Sequence, residues 1–222
     1  MSFLLILKDE LNGFYKSKVM IFLWIGLPIL AFLLHFSLSE SSTDGLSLSY
    51  LTALLVSNIG GLLASVMLTV NIINEKDTRV YDLFLIRPIR RWHIMTSKFL
   101  AVFICVSIAC VLAIALGVLV DYFQSPILLD LMSQNIINSF IIAISVIAIS
   151  SAVGIVFGVI SPSILVGVVL VIFVGNYISS IPSIIPIAFG VEDSVPLVSM
   201  IGVVVTVILM SLGIVLFNRK EF

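Results

Sequence analysis

The residues of this chain best equipped for chemistry lie together in one hydrophilic stretch, Asn74 to Lys98, set between long uncharged runs. Acids and bases alternate there. Glu75 and Arg79 form an i, i+4 pair with the acid first, the order that supports a helix. Val80 and Phe84, with Tyr81 and Leu83 beside them, make an apolar stripe. The pattern predicts a helix over 75–86 with charged flanks. Pro88, which lacks a backbone donor, stops it. A basic loop that only fixed membrane orientation would account for the Lys and Arg residues, but not for the acids or the aromatics. The chemistry this stretch suits is recognition of a soluble partner, through Glu75, Lys76, Asp77, Arg79, Tyr81, Asp82, Phe84, Leu85, Arg87 and Pro88. Arg90, Arg91, Trp92 and Lys98 fall where the chain re-enters the membrane. Catalysis is not expected. The chain has no H-E-x-x-H, its only histidines are His35 and His93, and no paired carboxylates interrupt its apolar runs. No metal or cofactor is expected on this chain.

The elements that must hold this stretch are apolar helices. The uncharged runs are Val19–Ser39 (21 residues), Gly45–Asn74 (30), Phe99–Val120 (22), Leu131–Val191 (61) and Ser194–Asn218 (25). A bilayer core about 30 Å thick takes roughly 20 apolar helical residues to cross. The chain is 61% hydrophobic and 10% charged, whereas soluble domains carry about 25% charged residues. All 11 Lys and Arg residues fall in Lys8–Lys18, Lys76–Lys98 and Arg219–Lys220. The segments holding Glu40 with Asp44, Asp121 with Asp130, and Glu192 with Asp193 contain none. The positive-inside rule puts the basic stretches, and both termini, in the cytoplasm. An even number of spans follows. The 61-residue run must hold two, broken at Ser161-Pro162-Ser163. The expected spans are 19–38, 50–73, 98–120, 136–160, 163–182 and 196–217, in one membrane domain covering 1–222. The first is too long, and ends in residues too bulky, for a cleaved signal peptide. Cys105 and Cys110 lie on different sides of one helix, cannot bridge, and are expected in packing.

Three further features refine this all-α, polytopic picture. Apolar residues at 3, 4, 7, 11 and 14 make one face of an N-terminal helix, which suits a surface helix on the membrane. Gly154 and Gly158 form a G-x-x-x-G pair that lets helix backbones approach closely, either within the chain or between two copies. The stretch Ser179–Asp193 is apolar yet broken by Pro182, Pro186 and Gly190. Such backbone survives at membrane depth only where protein or a water-lined cavity satisfies it. A short re-entrant segment between spans five and six is expected. No Asp, Glu, Lys or Arg stands near the middle of a span, which argues against an ion-coupled carrier.

The 74–98 loop resembles that of the type-2 permease family of ATP-binding cassette (ABC) exporters. There, spans two and three are joined by a Glu, a Gly-Thr, a Leu-Leu-x-x-Pro and a basic-aromatic run ending in Lys. In this chain Glu75 takes the acidic position, 13 residues before Pro88. Phe84-Leu85 stands for the Leu-Leu, and Arg91-Trp92 and Lys98 follow. Arg79-Val80 lies where the Gly-Thr belongs, which puts the local turn in question rather than the docking role. Lys8-Asp9-Glu10-Leu11, ahead of a span containing Pro28, is similar to the family's leading helix. Six spans match its architecture.

The resemblance implies a coupling helix that inserts into a groove of an ABC ATPase subunit. The working unit would hold two copies of that ATPase and a second permease, as a homodimer. ATP and Mg would sit on the ATPase, because this sequence has no G-x-x-x-x-G-K-[ST]. Nucleotide-driven closure would shift the spans between inward- and outward-open states. Glu75 would hinge the coupling helix onto the spans, through Arg79 or a base of the N-terminal helix. The location implied is a bacterial-type plasma membrane, with the lipid bilayer and no nucleic acid as partner. Apolar spans with Ser, Thr and Asn fit an amphipathic or hydrophobic cargo, foremost a peptide toxin or antimicrobial peptide. The alternatives are a membrane anchor for a soluble partner and a pore-forming or holin-like channel.

Overall fold

The computed structural model describes residues 3–39, 48–78, 91–124, 129–184 and 191–219, and the regular structure among them is helical. α1 (Phe3–Tyr15) and α2 (Lys18–Ser39) meet at a 66° bend. α3 (Leu48–Asp77), α4 (Arg91–Gln124) and α5 (Leu129–Ile160) follow. The next stretch comprises α6 (Ile164–Leu170), a π turn at Val171–Gly175 and α7 (Asn176–Ser179). α8 (Val191–Arg219) comes last among the described elements. Five stretches are long and apolar enough to cross a membrane: Ala53–Asp77, Trp92–Val120, Ile137–Ile160, Ile164–Ile184 and Val195–Arg219. The bent α1–α2 pair makes a sixth if taken as one span. This is a multi-pass membrane protein.

Helix ends and charge do not coincide. α4 has 34 residues, about 51 Å at 1.5 Å per residue, well beyond the roughly 30 Å hydrocarbon core. Its first two turns therefore carry Arg91 through Lys98, which the charge pattern had placed at a membrane crossing. Similarly, Glu75–Asp77 close α3 rather than opening a separate helix. The break at Ser161–Ser163 is where the sequence puts it. α5 stops at Ile160, and Ser163 caps the next helix by accepting the Val166 N–H. Of the expected re-entrant segment, Pro182 lies within the helical stretch Ile164–Ile184, while Pro186 and Gly190 lie outside the described residues. α8 begins at Val191, so Glu192 and Asp193 fall in its first turn rather than before it.

Lipid tails are as apolar as Leu, so packing between spans rests on close van der Waals contact and interhelical hydrogen bonds. The seam between α3 and α5 is built that way. A Cβ added at Gly154 would lie 2.6 Å from the Ser65 carbonyl oxygen, and one at Gly158 would lie 3.0 Å from Ile72 Cβ. Gly61 faces Ser150 in the same seam. The Thr69 hydroxyl donates to the Gly154 carbonyl at 2.9 Å. The G-x-x-x-G pair is thus occupied by a helix of the same chain. α4 presses Val102, Cys105, Val106 and Ala109 against Met20, Leu23, Leu27 and Ala31 of α2 and against Ala64 and Leu68 of α3. The Trp24 indole N–H donates to the Cys105 carbonyl at 3.1 Å. Cys105 and Cys110 are both buried and free, as expected. Leu165, Phe173 and Met200 are exposed on the outside of the bundle, where a bilayer solvates them.

Candidate functional site

Three helices, α1, α3 and α4, carry a buried stripe that contains one charge at the α1 end of the bundle. On α1 the stripe runs Ile6, Leu7, Glu10, Leu11, Phe14. Leu4, assigned to the apolar face by the sequence, is instead exposed. On α3 it runs Leu68, Ile72, Glu75, and on α4 it runs Ile94, Met95, Lys98, Ala101, Val102. Spacings of three and four put these residues on one side of each helix. Helical geometry thus turns Glu10, Glu75 and Lys98 inward along with their apolar neighbours.

The three side chains meet. Lys98 is 1% exposed and donates to Glu10 Oε1 at 2.8 Å and to Glu75 Oε1 at 2.5 Å. An ammonium has three donors, and two are used here. Burial pushes the Glu10 carboxyl above its ordinary value of 4.5, against the opposing pull of the Lys98 ammonium. Glu75 Oε2 is buried and accepts no hydrogen bond among the described residues. Beside the triad, α1, the first turns of α2 and the last turns of α3 line an open groove of about 600 Å³. Glu10, Glu75, Asn71 and Asn74 line it with polar groups, and Phe14, Phe22, Leu23, Met67 and Val70 line it with apolar ones.

The other expected site residues divide. Lys76 donates to the Ser161 carbonyl at 3.3 Å, tying the end of α3 to the break after α5. Asp77 is exposed, and the Thr78 hydroxyl donates to the Asn74 carbonyl at 2.7 Å as α3 ends. Arg91 opens α4. Trp92 is exposed and meets the His93 ring edge-on, which in turn meets Phe3. Arg79, Tyr81, Asp82, Phe84, Leu85, Arg87, Pro88 and Arg90, the body of the expected coupling helix, lie outside the described residues. Among the described residues Glu75 pairs with Lys98 and not with a base of the N-terminal helix; Arg79, the other expected partner, lies outside them. That helix contributes an acid, Glu10, which the sequence places in the leading helix without a role at the site. Its signal was present: Glu10 follows Ile6 by four residues and precedes Phe14 by four, on the apolar side. No group of three or more His, Cys, Asp and Glu side chains able to hold a metal occurs among the described residues.

Three helices are therefore pinned at one point by one cation. Glu75 precedes residues 79–90 and Lys98 follows them, so the triad joins the end of α3 and the start of α4 to each other and to α1. No protein-family model matches the chain, and no curated protein matches it either.

Proposed function

We propose that this chain is the membrane-spanning permease subunit of an ABC exporter, with segment 79–90 as the coupling element that docks on a separate ATPase. The observation that carries the reading is the Glu10–Lys98–Glu75 triad. A coupling element must be stiffly joined to the spans it moves, and the two residues flanking this one are joined to each other and to the leading helix. Both termini and segment 79–90 face the cytoplasm in this reading, where the positive-inside rule puts the basic stretches. Two such chains and two ATPases form the working unit. Closure of the ATPases on nucleotide pushes the segment, and the triad passes the push to α1, α3 and α4 together. The cargo is amphipathic or hydrophobic, with a peptide toxin or antimicrobial peptide first among the choices, and it leaves the cell.

Affinity purification of the chain from native membranes, with co-purifying proteins identified by mass, tests this directly. An ABC ATPase is expected, with hydrolysis that rises when the permease is present in nanodiscs. Glu75→Ala is expected to abolish transport while leaving insertion intact. Ion conduction in a planar bilayer without nucleotide would point to a channel instead. Protease accessibility of segment 79–90 from the cell exterior would end the exporter reading.

A further inference from the structure

We infer that α1 is a proton-controlled latch, seated on α3 and α4 while Glu10 holds a proton and loosened when Glu10 gives it up. The geometry of the triad carries this. One ammonium, almost wholly buried, stands between two carboxyl groups that belong to two different helices. Lys98 can balance only one negative charge. A second ionised carboxylate in the same place meets a cation already neutralised and a like charge beside it, which favours its neutral form. Glu10 is the group that takes the proton. Burial raises its carboxyl against the pull of Lys98, and Glu75 and Asp9 push the same way as burial. From α2, the nearby groove residues Val19, Phe22 and Leu23 bring no charge.

The neutral acid keeps its contact. A protonated carboxyl retains acceptor capacity, so with the proton on Oε2 the Oε1 atom still accepts from Lys98. Glu10 also lines the open groove beside the triad, so a proton reaches it without any helix moving. Why α1 responds rather than the whole bundle follows from how each helix is held. α3 and α4 contain stretches long and apolar enough to cross a membrane. The buried residues of α1 are Ile6 and Phe14, with Leu7 and Leu11 partly covered. It joins α2 through the 66° bend at Lys16 and Ser17. A helix with a short buried face beside a bend can open locally while the rest stays folded. The latch needs only the triad and the bend, and it stands whether or not the chain belongs to an exporter.

The test is hydrogen exchange of the full chain in nanodiscs, read by mass on peptides within 3–15 and corrected for the chemical exchange rate at each pH. With α1 released, Glu10 titrates at its ordinary 4.5; with α1 seated, it titrates higher. Below 4.5 both forms hold the proton, and protection of α1 should be flat. Above 4.5 only the seated form holds it. Protection should then fall about tenfold per pH unit, the slope of one proton, and level off once the seated carboxyl ionises too. Peptides of α4 within 103–120 should not follow. Glu10→Gln, an uncharged stand-in for the protonated acid, should keep α1 seated across the series. Protection that rises with pH would make the ionised carboxylate the better anchor. Protection that ignores pH, or that falls equally in Glu10→Gln, would detach α1 from this proton. A fall shared by the α4 peptides would be global unfolding rather than a latch. Each of these results overturns the proposal. All but the Glu10→Gln comparison are read on the unsubstituted chain, so the proposal can fail even if that variant does not insert.

Discussion

Replacing Lys98 with methionine keeps the length and the apolar stem of the side chain and removes only its charge and donors. In the folded protein Glu10 and Glu75 would then face each other with no cation between them. At an effective dielectric of 20, each ammonium–carboxylate attraction near 2.8 Å is worth about 6 kcal/mol. The desolvation of each buried ion costs several kcal/mol, so the intact triad contributes little net stability. Breaking it is different, because the charges left behind keep their desolvation cost. Loss of one partner from a buried pair typically costs about 3–5 kcal/mol. The Glu10 and Glu75 side chains are 18% and 19% exposed, so the lower end of that range is expected here. The triple variant Glu10→Gln/Lys98→Met/Glu75→Gln removes all three charges and should recover most of the loss, while leaving transport dead. Equilibrium unfolding in mixed micelles of sodium dodecyl sulfate and a non-ionic detergent gives both free energies. A loss under about 1 kcal/mol for Lys98→Met, or a triple variant as unstable as the single one, would refute the account of a buried, mutually dependent triad.

Two glycine substitutions should act in opposite directions in the same unfolding assay. Gly13→Ala meets nothing within 4 Å and should stabilise α1 by about 0.5–1 kcal/mol, whereas Gly154→Ala drives a Cβ onto the Ser65 carbonyl and should cost about 1–3 kcal/mol. Thr69→Val removes the hydroxyl that reaches the Gly154 carbonyl and should cost about 0.6 kcal/mol, the average for such bonds between membrane helices. The raised Glu10 carboxyl sets a pH dependence. From 4.5 up to its folded value, the folded state holds a proton that the unfolded chain has released. Stability contributed by this group therefore falls as pH rises through that window. Melting temperatures across a pH series should show that slope in the parent protein and lose it in Glu10→Gln.

Apolar run length places five of the six expected spans within the described helices, because a helix in lipid must be long and uncharged to exist at all. Ser161-Pro162-Ser163 is equally legible, since proline acts on its own neighbours. The triad is not. Charge interrupts an apolar run, so run length alone puts Lys98 at the edge of a span. Helical register carries on through the interruption, and Met95, Lys98 and Val102 share a face. Continued through the charges, the helical stripe turns all three residues inward. Their pairing would still have been hidden. Lys98 is 88 residues from Glu10 and 23 from Glu75, and no local pattern spans such distances. The π turn at Val171–Gly175 has no sequence signal either. It lies in an unbroken apolar stretch without proline, where tertiary packing rather than propensity sets the backbone.

The seam between α3 and α5 has a mechanical corollary. At Gly154 the α5 backbone rests on the Ser65 backbone of α3, and at that point no side chain lies between them to change rotamer and absorb a shift. Lys76 then fastens the tip of α3 to the Ser161 carbonyl, at the elbow before α6. A tug on the end of α3 therefore arrives at that elbow without slack, and the pair behaves as one rigid beam whose two ends cannot move independently.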